Sequence, residues 1–211
     1  MPYAQTQVPS AEPVSRAEAK NHLKVDSDLT SDDALIDMLI SAARRHAESY
    51  CGRSFITQKW RLTLDAFPGP SLIGMPLGVP YSVPGHALLL ERGKVLSVDQ
   101  IQYQDMSGTW QTMSASDYVA DLSSDLARVT PVFGKIWPTP TLPQIGAVRI
   151  DFTAGYGPTA ADVPEGIRQW ILLRVGSLYE NREEVAVLNR GKVEAMPFVD
   201  SLLDPYRIVI L

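Results

Sequence analysis

The sequence has little of the material from which covalent cross-links and metal sites are built. Its 211 residues include one cysteine, Cys51, which has no partner for an internal disulfide and no Cys or His at metal-ligand spacing. Three histidines, His22, His46 and His86, are scattered without an HExxH or His-x-His grouping. We therefore expect no metal and no other cofactor, and we interpret Cys51 as a small residue that fills a helix end.

A long apolar run and an excess of positive charge are also missing. No stretch of about 18 apolar residues is present, and the first ten residues resemble no secretory signal, so we expect a cytoplasmic protein that does not enter membranes. The net charge is −5, with acids and bases interspersed. Such a charge distribution does not favour wrapping a phosphate backbone, which argues against sequence-specific DNA binding.

Catalytic motifs are absent from the sequence as well. Gly155-Tyr156-Gly157 lacks the glycine spacing and the Lys-Ser/Thr pair of a phosphate-binding loop, so a tight strand-to-helix turn is the better interpretation. The acid pairs Asp32-Asp33 and Glu183-Glu184 lie in or beside helix ends, where the helix dipole and solvation explain them. No nucleophile elbow or Ser-His-Asp order is present. The sequence indicates a protein that is not an enzyme.

Three helices are predicted, over residues 15–23, 31–51 and 163–182. The first begins with a capping box formed by Ser15 and Glu18, and Gly52 ends the second. The second begins at Thr30-Ser31-Asp32-Asp33 with a hydroxyl cap, and the third with a box of Asp162 and Glu165.

Apolar residues recur at helical spacing in the second and third helices. The stripe of the second helix comprises Leu35, Met38, Leu39, Ala42, His46 and Tyr50, with Arg44 and Glu48 largely off it. The core face of the third comprises Ile167, Trp170, Ile171, Val175 and Leu178, widened by Leu172, Leu173 and Tyr179. We expect the two helices to pack together with Leu39 and Ile171 buried, and the wide third face to be covered by a partner helix and a neighbouring subunit.

Between the helices, residues 57–153 read as a β-region. Alternation from Lys59 to Leu64 predicts a half-buried strand, and further strands are predicted at 88–90, 95–103, 109–113, 118–120, 126–130 and 147–153. The loop from Ala66 to Ala87 holds five prolines and four glycines and is a candidate contact surface. The predicted fold class is α+β, a small helical bundle with an inserted, mostly antiparallel β-region that forms a meandering sheet.

The two ends of the chain are expected to lie outside the main domain, which spans residues 15–182. Residues 1–14 read as a flexible arm, and residues 183–211 as a connecting segment, with one or two helical turns before Pro205, and a docking tail. The tail comprises Tyr206, Arg207, Ile208, Val209, Ile210 and Leu211. Its β-branched residues favour a strand that adds to a partner's sheet edge, and the alternative is that it tucks into its own domain.

Several stretches, taken in order, resemble the head-tail connector, or adaptor, proteins of tailed phages and gene transfer particles. The similar stretches are Ala17–Asp26, Asp33–Ile36, Ala42–Glu48, Tyr50–Arg53, Trp60–Pro68, Phe152–Gly157, Val163–Gln169 and Leu178–Arg182. They span most of residues 15–207. The loop from Pro68 to Ala87 is longer and richer in proline than the family pattern, so the resemblance implies nothing about its contacts.

The resemblance implies a structural subunit, assembled in the bacterial cytoplasm, that forms a closed ring of about twelve copies in the virion neck. Its implied partners are further copies of itself, the portal protein and a downstream neck or tail-completion protein, and DNA would pass through the ring non-specifically. Two alternatives from other classes remain. One is a monomeric ligand-binding or regulatory domain, which a large apolar cavity would favour, and the other is a hydrolase whose site is assembled from distant residues.

Overall fold

Two stretches of chain, Pro9–Ile56 and Tyr156–Arg207, form the helical unit of the computed structural model. A second unit, the β-unit, comprises Met1–Val8, Thr57–Gly155 and Ile208–Leu211. The structure describes residues 3–69, 86–138, 145–181 and 197–208. The predicted α+β class, with a β-region inserted into a small helical bundle, is confirmed.

The helical unit contains the helices α1 (Arg16–Leu23), α2 (Asp33–Cys51), α3 (Glu165–Glu180) and the short α4 (Pro197–Asp200). Short 3₁₀ turns lie at Ala160–Asp162 and Asp204–Tyr206. Helix α3 ends at Glu180, with Asn181 as its C-cap, two residues before the predicted end at Arg182. Pro205 sits inside the second 3₁₀ turn, so the helical turns do not stop before it as we expected.

Helix ends follow the predicted chemistry in some places and depart from it in others. The Ser15 and Glu18 capping box is confirmed, and Gly52 ends α2 in the left-handed conformation with φ of 67°. The predicted hydroxyl cap of α2 is wrong, because Asp32 occupies the cap position and its side chain makes no capping hydrogen bond. The predicted capping box of Asp162 and Glu165 at the start of α3 is also wrong, because Pro164 occupies the cap position. Asp162 instead closes a box with Thr159 around the preceding 3₁₀ turn.

The predicted packing of α2 against α3 is confirmed, but the buried face of α2 is rotated by one residue from the predicted stripe. The buried apolar residues of α2 are Ile36, Ile40, Ala43, Ala47 and Cys51. Those of α3 are Ile167, Trp170, Ile171 and Val175, as predicted. Leu39 is only half-buried, whereas Ile171 is fully buried.

The rotation of α2 buries two charged residues that the sequence pattern placed off the core face. Arg44 is 6% exposed and Glu48 is 8% exposed. The Arg44 guanidinium donates to Glu48 Oε2 at 2.7 Å and to Glu12 Oε2 at 2.7 Å, and Glu48 Oε1 accepts from the Phe55 amide at 2.9 Å. Because both charges are paired and hydrogen-bonded, their burial is tolerated.

Among the residues that the structure describes, the β-unit contains eight strands in two antiparallel sheets. They are β1 (Tyr3–Gln7), β2 (Gln58–Leu64), β3 (Leu88–Leu90), β4 (Val95–Gln104), β5 (Trp110–Thr112), β6 (Tyr118–Asp121), β7 (Ala127–Pro131) and β8 (Val148–Ala154). The sheet orders are β1-β2-β8-β4-β5 and β3-β7-β6. The strand positions match the prediction closely. The predicted single meandering sheet is wrong, because the strands form two sheets and β8 lies between β2 and β4.

The first residues are not a loose arm throughout. Strand β1 pairs antiparallel with β2, with Tyr3 opposite Leu62 and Gln5 opposite Trp60. In the helical unit, Val14 is buried in the core and Glu12 pairs with Arg44. Strand pairing and side-chain burial therefore order much of residues 3–14, which the composition predicted to be flexible.

Candidate assembly surfaces

The segment Pro197–Arg207, which we call the strap, packs on the core of the helical unit. Leu203 is 1% exposed and belongs to the same buried cluster as Cys51 and Trp170. Val199, Leu202 and Tyr206 are partly buried against that cluster. Of the strap side chains that the structure describes, Leu203 alone is fully buried.

Polar contacts from α2, α3 and the residues that follow α2 hold the strap along its length. The Trp170 indole donates to Asp200 Oδ1 at 3.1 Å, and the Tyr50 hydroxyl donates to Asp204 Oδ1 at 3.2 Å. Arg53 Nε donates to the Tyr206 carbonyl. The hydrogen bond to Asp204 raises the pKa of Tyr50, because it stabilises the protonated phenol.

Cys51 lies directly beneath the strap. Its thiol is fully buried, and its Sγ is 3.9 Å from the Leu203 carbonyl. Burial raises the pKa of Cys51 to about 11, so the unreactive protonated thiol is favoured. This placement agrees with our interpretation of Cys51 as a residue that fills a helix end.

The predicted docking tail begins within the strap. The Tyr206 ring lies against Gly166, and the Arg207 guanidinium lies 5.2 Å from the centre of the Tyr50 ring. Ile208 belongs to the β-unit, where its side chain approaches Gly93. Val209, Ile210 and Leu211 lie outside the described residues. The first two tail residues therefore contact their own helical unit, and docking of the tail on a partner stays a prediction.

Several large apolar side chains remain exposed on each unit. Met38 of α2 is 59% exposed, and Tyr50 is also exposed, although the sequence pattern assigned both to the core. In the β-unit, Phe133, Ile136 and Ile145 are almost entirely exposed. Large contiguous apolar patches mark interaction sites, whereas single exposed side chains are ordinary, so these residues are candidates for partner contacts and no more.

The β-unit also contains an apolar cavity of about 490 Å³. Phe67 and Trp137 stack in its wall with ring centres 4.7 Å apart, and the Trp137 indole donates to the His86 carbonyl at 2.7 Å. Lys135, at its rim, pairs with Asp117. The described wall is therefore mostly apolar, and it presents no cluster of acids or nucleophiles for chemistry.

The three histidines do not converge in the described structure. His46 stacks on Trp170 at 5.7 Å between ring centres, and His22 lies near Gly176. Within residues 3–69, 86–138, 145–181 and 197–208, no group of three or more His, Cys, Asp or Glu side chains is arranged to hold a metal ion. In the same residues, no helix combines the length and apolarity needed to span a bilayer.

The Gly155-Tyr156-Gly157 stretch is a structural turn, as predicted. Gly157 forms a β-bridge with Ile56, and the Asp162 carboxylate occupies the space that a side chain at position 157 would need. The Thr159 hydroxyl and amide each donate to Asp162 Oδ2 at 2.8 Å and lower the pKa of that carboxyl. The space beside Gly157 thus holds a protein carboxylate, which would repel a phosphate.

Residues 17–84 match the family model described as "Phage gp6-like head-tail connector protein". The resemblance to head-tail connectors is confirmed. Structures of gene transfer agent (GTA) particles share the fold over 100% of this chain and 97% of theirs, at 24% identity. The TM-scores are 0.75 for the neck of an empty GTA particle computed with C6 symmetry, 0.77 for the virion of a native GTA particle, and 0.69 for the neck of a native GTA particle computed with C12 symmetry. No curated protein matches the chain.

Sequence reasoning missed the strap as a packed element. The sequence pattern predicted one or two helical turns there but not the surface on which they pack. That surface could not be predicted because Leu203 and Cys51, which are in contact, lie 152 positions apart in sequence. One signal was available. Aliphatic and aromatic residues at 199, 202, 203 and 206 recur at three- and four-residue steps, which is typical of a helical face that packs on a core.

Proposed function

We propose that the chain is a structural head-to-tail connector, or adaptor, subunit of a tailed phage or phage-like particle. The observation that supports this most directly is the combination of two likenesses. Residues 17–84 match the connector family, and the whole chain shares its fold with chains of GTA particles, including their necks. The proposed role is mechanical: the subunit provides a platform for tail attachment and a passage for DNA.

In this proposal the subunits form a closed ring beneath the portal. The related necks were computed with C6 and C12 symmetry, which supports cyclic assembly with up to about twelve copies. A cyclic ring joins two different surfaces of each subunit. Exposed apolar residues such as Met38 and Phe133 supply surface that such contacts would cover.

The proposed partners are the portal protein on one side and a downstream neck or tail-completion protein on the other. DNA passes through the ring without sequence-specific contacts, in keeping with the net charge of −5. The proposed location is the virion neck, reached after assembly in the bacterial cytoplasm. No enzymatic step and no cofactor are part of this function.

The docking tail is the proposed hook of the subunit. Residues 206–207 are held in the strap and Ile208 approaches Gly93, so the part that we propose for a partner is residues 209–211, which are wholly aliphatic. An aliphatic strand added to a partner's sheet edge gains main-chain hydrogen bonds and buried apolar area. The hook would therefore fix the ring to its neighbour in the neck.

Truncation of the hook tests this role. Deleting residues 209–211 removes the aliphatic end but leaves the strap contacts of Tyr206 and Arg207 intact. We expect a folded subunit and particles with filled heads that lack tails, counted by electron microscopy. The control reorders the same side chains with Val209→Leu, Ile210→Val and Leu211→Ile, and it should retain tails. Normal tailed particles from the truncated chain would eliminate the hook.

A monomeric ligand-binding or regulatory domain is the second candidate, and the apolar cavity of the β-unit favours it. This candidate predicts a monomeric elution volume at all concentrations and saturable binding of an apolar fluorescent probe, abolished by Trp137→Ala. The connector proposal predicts that Trp137→Ala leaves attachment to the neck unchanged in any variant that folds.

A further inference from the structure

We propose that one face of the five-stranded sheet in the β-unit binds phosphate groups of the DNA backbone through Arg149. We call the side chains concerned, Thr63, Arg149, Gln102 and Thr112, the Arg149 row. The inference deepens the proposed function: it rests on that function for the presence of DNA, and it names a surface that the DNA contacts.

Strand register places the four side chains of the Arg149 row next to one another. Arg149 lies between two fully buried residues of β8, so its side chain extends from the face of the sheet opposite the core. Thr63 of β2 and Gln102 of β4 are its neighbours across the strands, and Thr112 of β5 is the neighbour of Gln102. Thr112 is exposed and the other three are half-buried. Four adjacent strands therefore each present a hydrogen-bond donor at the surface, and the row contains no acid.

The Arg149 guanidinium is positioned by an aromatic ring and not by a salt bridge. Its central carbon lies 3.9 Å from the centre of the Trp110 ring of β5, and its N–H groups donate to no acceptor among the residues that the structure describes. Asp151 of the same strand attracts Arg149 electrostatically, but its carboxylate accepts from Arg61 at 2.7 and 2.9 Å and from Gln100 at 2.7 Å. A guanidinium stacked on a ring keeps its planar fork of donors available for an oxyanion.

Phosphate groups suit this row better than the surface of another protein does. Guanidinium, hydroxyl and amide donors are the groups that contact the phosphate backbone of DNA, and the guanidinium fork matches a phosphate in a bidentate manner. Four strands spaced about 4.8 Å apart give a row about 14 Å long, which a chain of phosphates can follow and a single carboxylate cannot. A protein partner would need apolar or aromatic anchors, and the four side chains of the row supply none.

One arginine in each subunit gives a weak contact without base readout. Such a contact is independent of sequence and is lost as salt is added. The net charge of −5 repels DNA from the subunit as a whole, so the Arg149 contact holds DNA only locally. In a ring, equivalent contacts from all copies would guide the DNA and still let it move through the passage.

The test is an NMR titration of the isolated full chain with a short DNA duplex of mixed sequence at low salt. We expect the Trp110 indole and Arg149 Nε–H signals to shift together. Arg149→Gln should weaken binding by about fivefold or more and lower the slope of log affinity against log salt by about one. Arg45→Gln removes the same charge from an exposed position of α2, and as the matched control it should change the affinity by less than about twofold.

Two further measurements separate phosphate binding from its alternatives. Arg149→Lys keeps the charge but loses the planar fork, so it should bind DNA more weakly than the wild type, and it decides the matter if circular dichroism shows that Arg149→Gln does not fold. A polyglutamate peptide should bind more weakly than the duplex. Equal effects of Arg149→Gln and Arg45→Gln, full affinity in Arg149→Lys, or tighter binding of polyglutamate would overturn the proposal. Because the titration involves neither portal nor tail, such a result leaves the connector function standing.

Discussion

Ile171 and Leu39 lie on facing helices but differ in burial, and the difference sets how much each contributes to stability. Ile171 is fully buried, whereas Leu39 is half-buried at the edge of the cluster. We expect Ile171→Ala to lower the free energy of unfolding by about 2–5 kcal/mol, with a smaller loss for Leu39→Ala. Urea denaturation of both variants measures this. A loss below about 0.5 kcal/mol at Ile171 would contradict the helix pairing.

The Asp105 carboxylate should contribute stability that depends on pH. Ser107 and Gln111 side chains and the Thr109 amide donate to it, and they lower its pKa from 3.8 to about 2. A carboxyl whose pKa is depressed by folding stabilises the fold above its unfolded pKa, and that contribution is lost as the pH falls through the folded pKa.

The difference in unfolding midpoint between the wild type and Asp105→Ala should therefore be full above pH 4 and shrink between about pH 4 and pH 2. Asp26→Ala, at an exposed position, is the control for general effects of charge removal. A difference that stays constant over this range would contradict the assigned hydrogen bonds.

Residue burial was only partly predictable from sequence, and α2 shows why. Apolar residues occupy positions 35, 36, 38, 39 and 40, so two adjacent stripes satisfy the helical period equally well. The stripe that is buried in the structure contains Arg44 and Glu48, and a hydropathy pattern assigns charged residues such as these to the surface. Tertiary contacts with Glu12 and the Phe55 amide, which the local sequence does not reveal, help to satisfy these charges and so make their burial tolerable.

At the scale of elements, the buried Arg44 and Glu48 pair ties α2 to the chain on both sides of it. Glu48→Ala leaves the Arg44 charge with Glu12 alone and removes the acceptor of the Phe55 amide. We expect a loss of about 3–5 kcal/mol in the free energy of unfolding. Asp37→Ala, which breaks an exposed pair with Arg16, is the matched control and should cost about 1 kcal/mol or less. Equal losses would show that the burial of Glu48 has no energetic consequence.

Most strands were predictable, but their arrangement was not. Period-two alternation and turn residues such as Gly108 place the strands within about one residue. The order β1-β2-β8-β4-β5 pairs residues up to 96 positions apart in sequence, Gln58 with Ala154, and local patterns contain no information on that pairing. Strand β1 was missed for the same reason, because its pairing with β2 is what orders it.

At the scale of the whole molecule, some exposed apolar side chains have no packing role within the subunit and are candidates for contacts with other chains. Met38, Phe133 and Ile136 are large apolar side chains that remain exposed on the subunit. An assembly subunit accounts for these features together, because its function lies in the surfaces that other chains cover. The sequence predicted this role through the order of its connector-like stretches, but it gave neither the strap nor the exposed face of α2.

Cryo-electron microscopy of particles purified from cells that produce the chain tests the connector function most directly. Focused reconstruction of the neck should show a closed ring of this fold between the portal and the tail, with cyclic symmetry and the α2 face containing Met38 covered by a neighbour. Particles from a strain lacking the chain should lose that ring and their tails together. Particles that retain an intact tailed neck without the chain, or a neck ring of a different fold, would contradict the connector function.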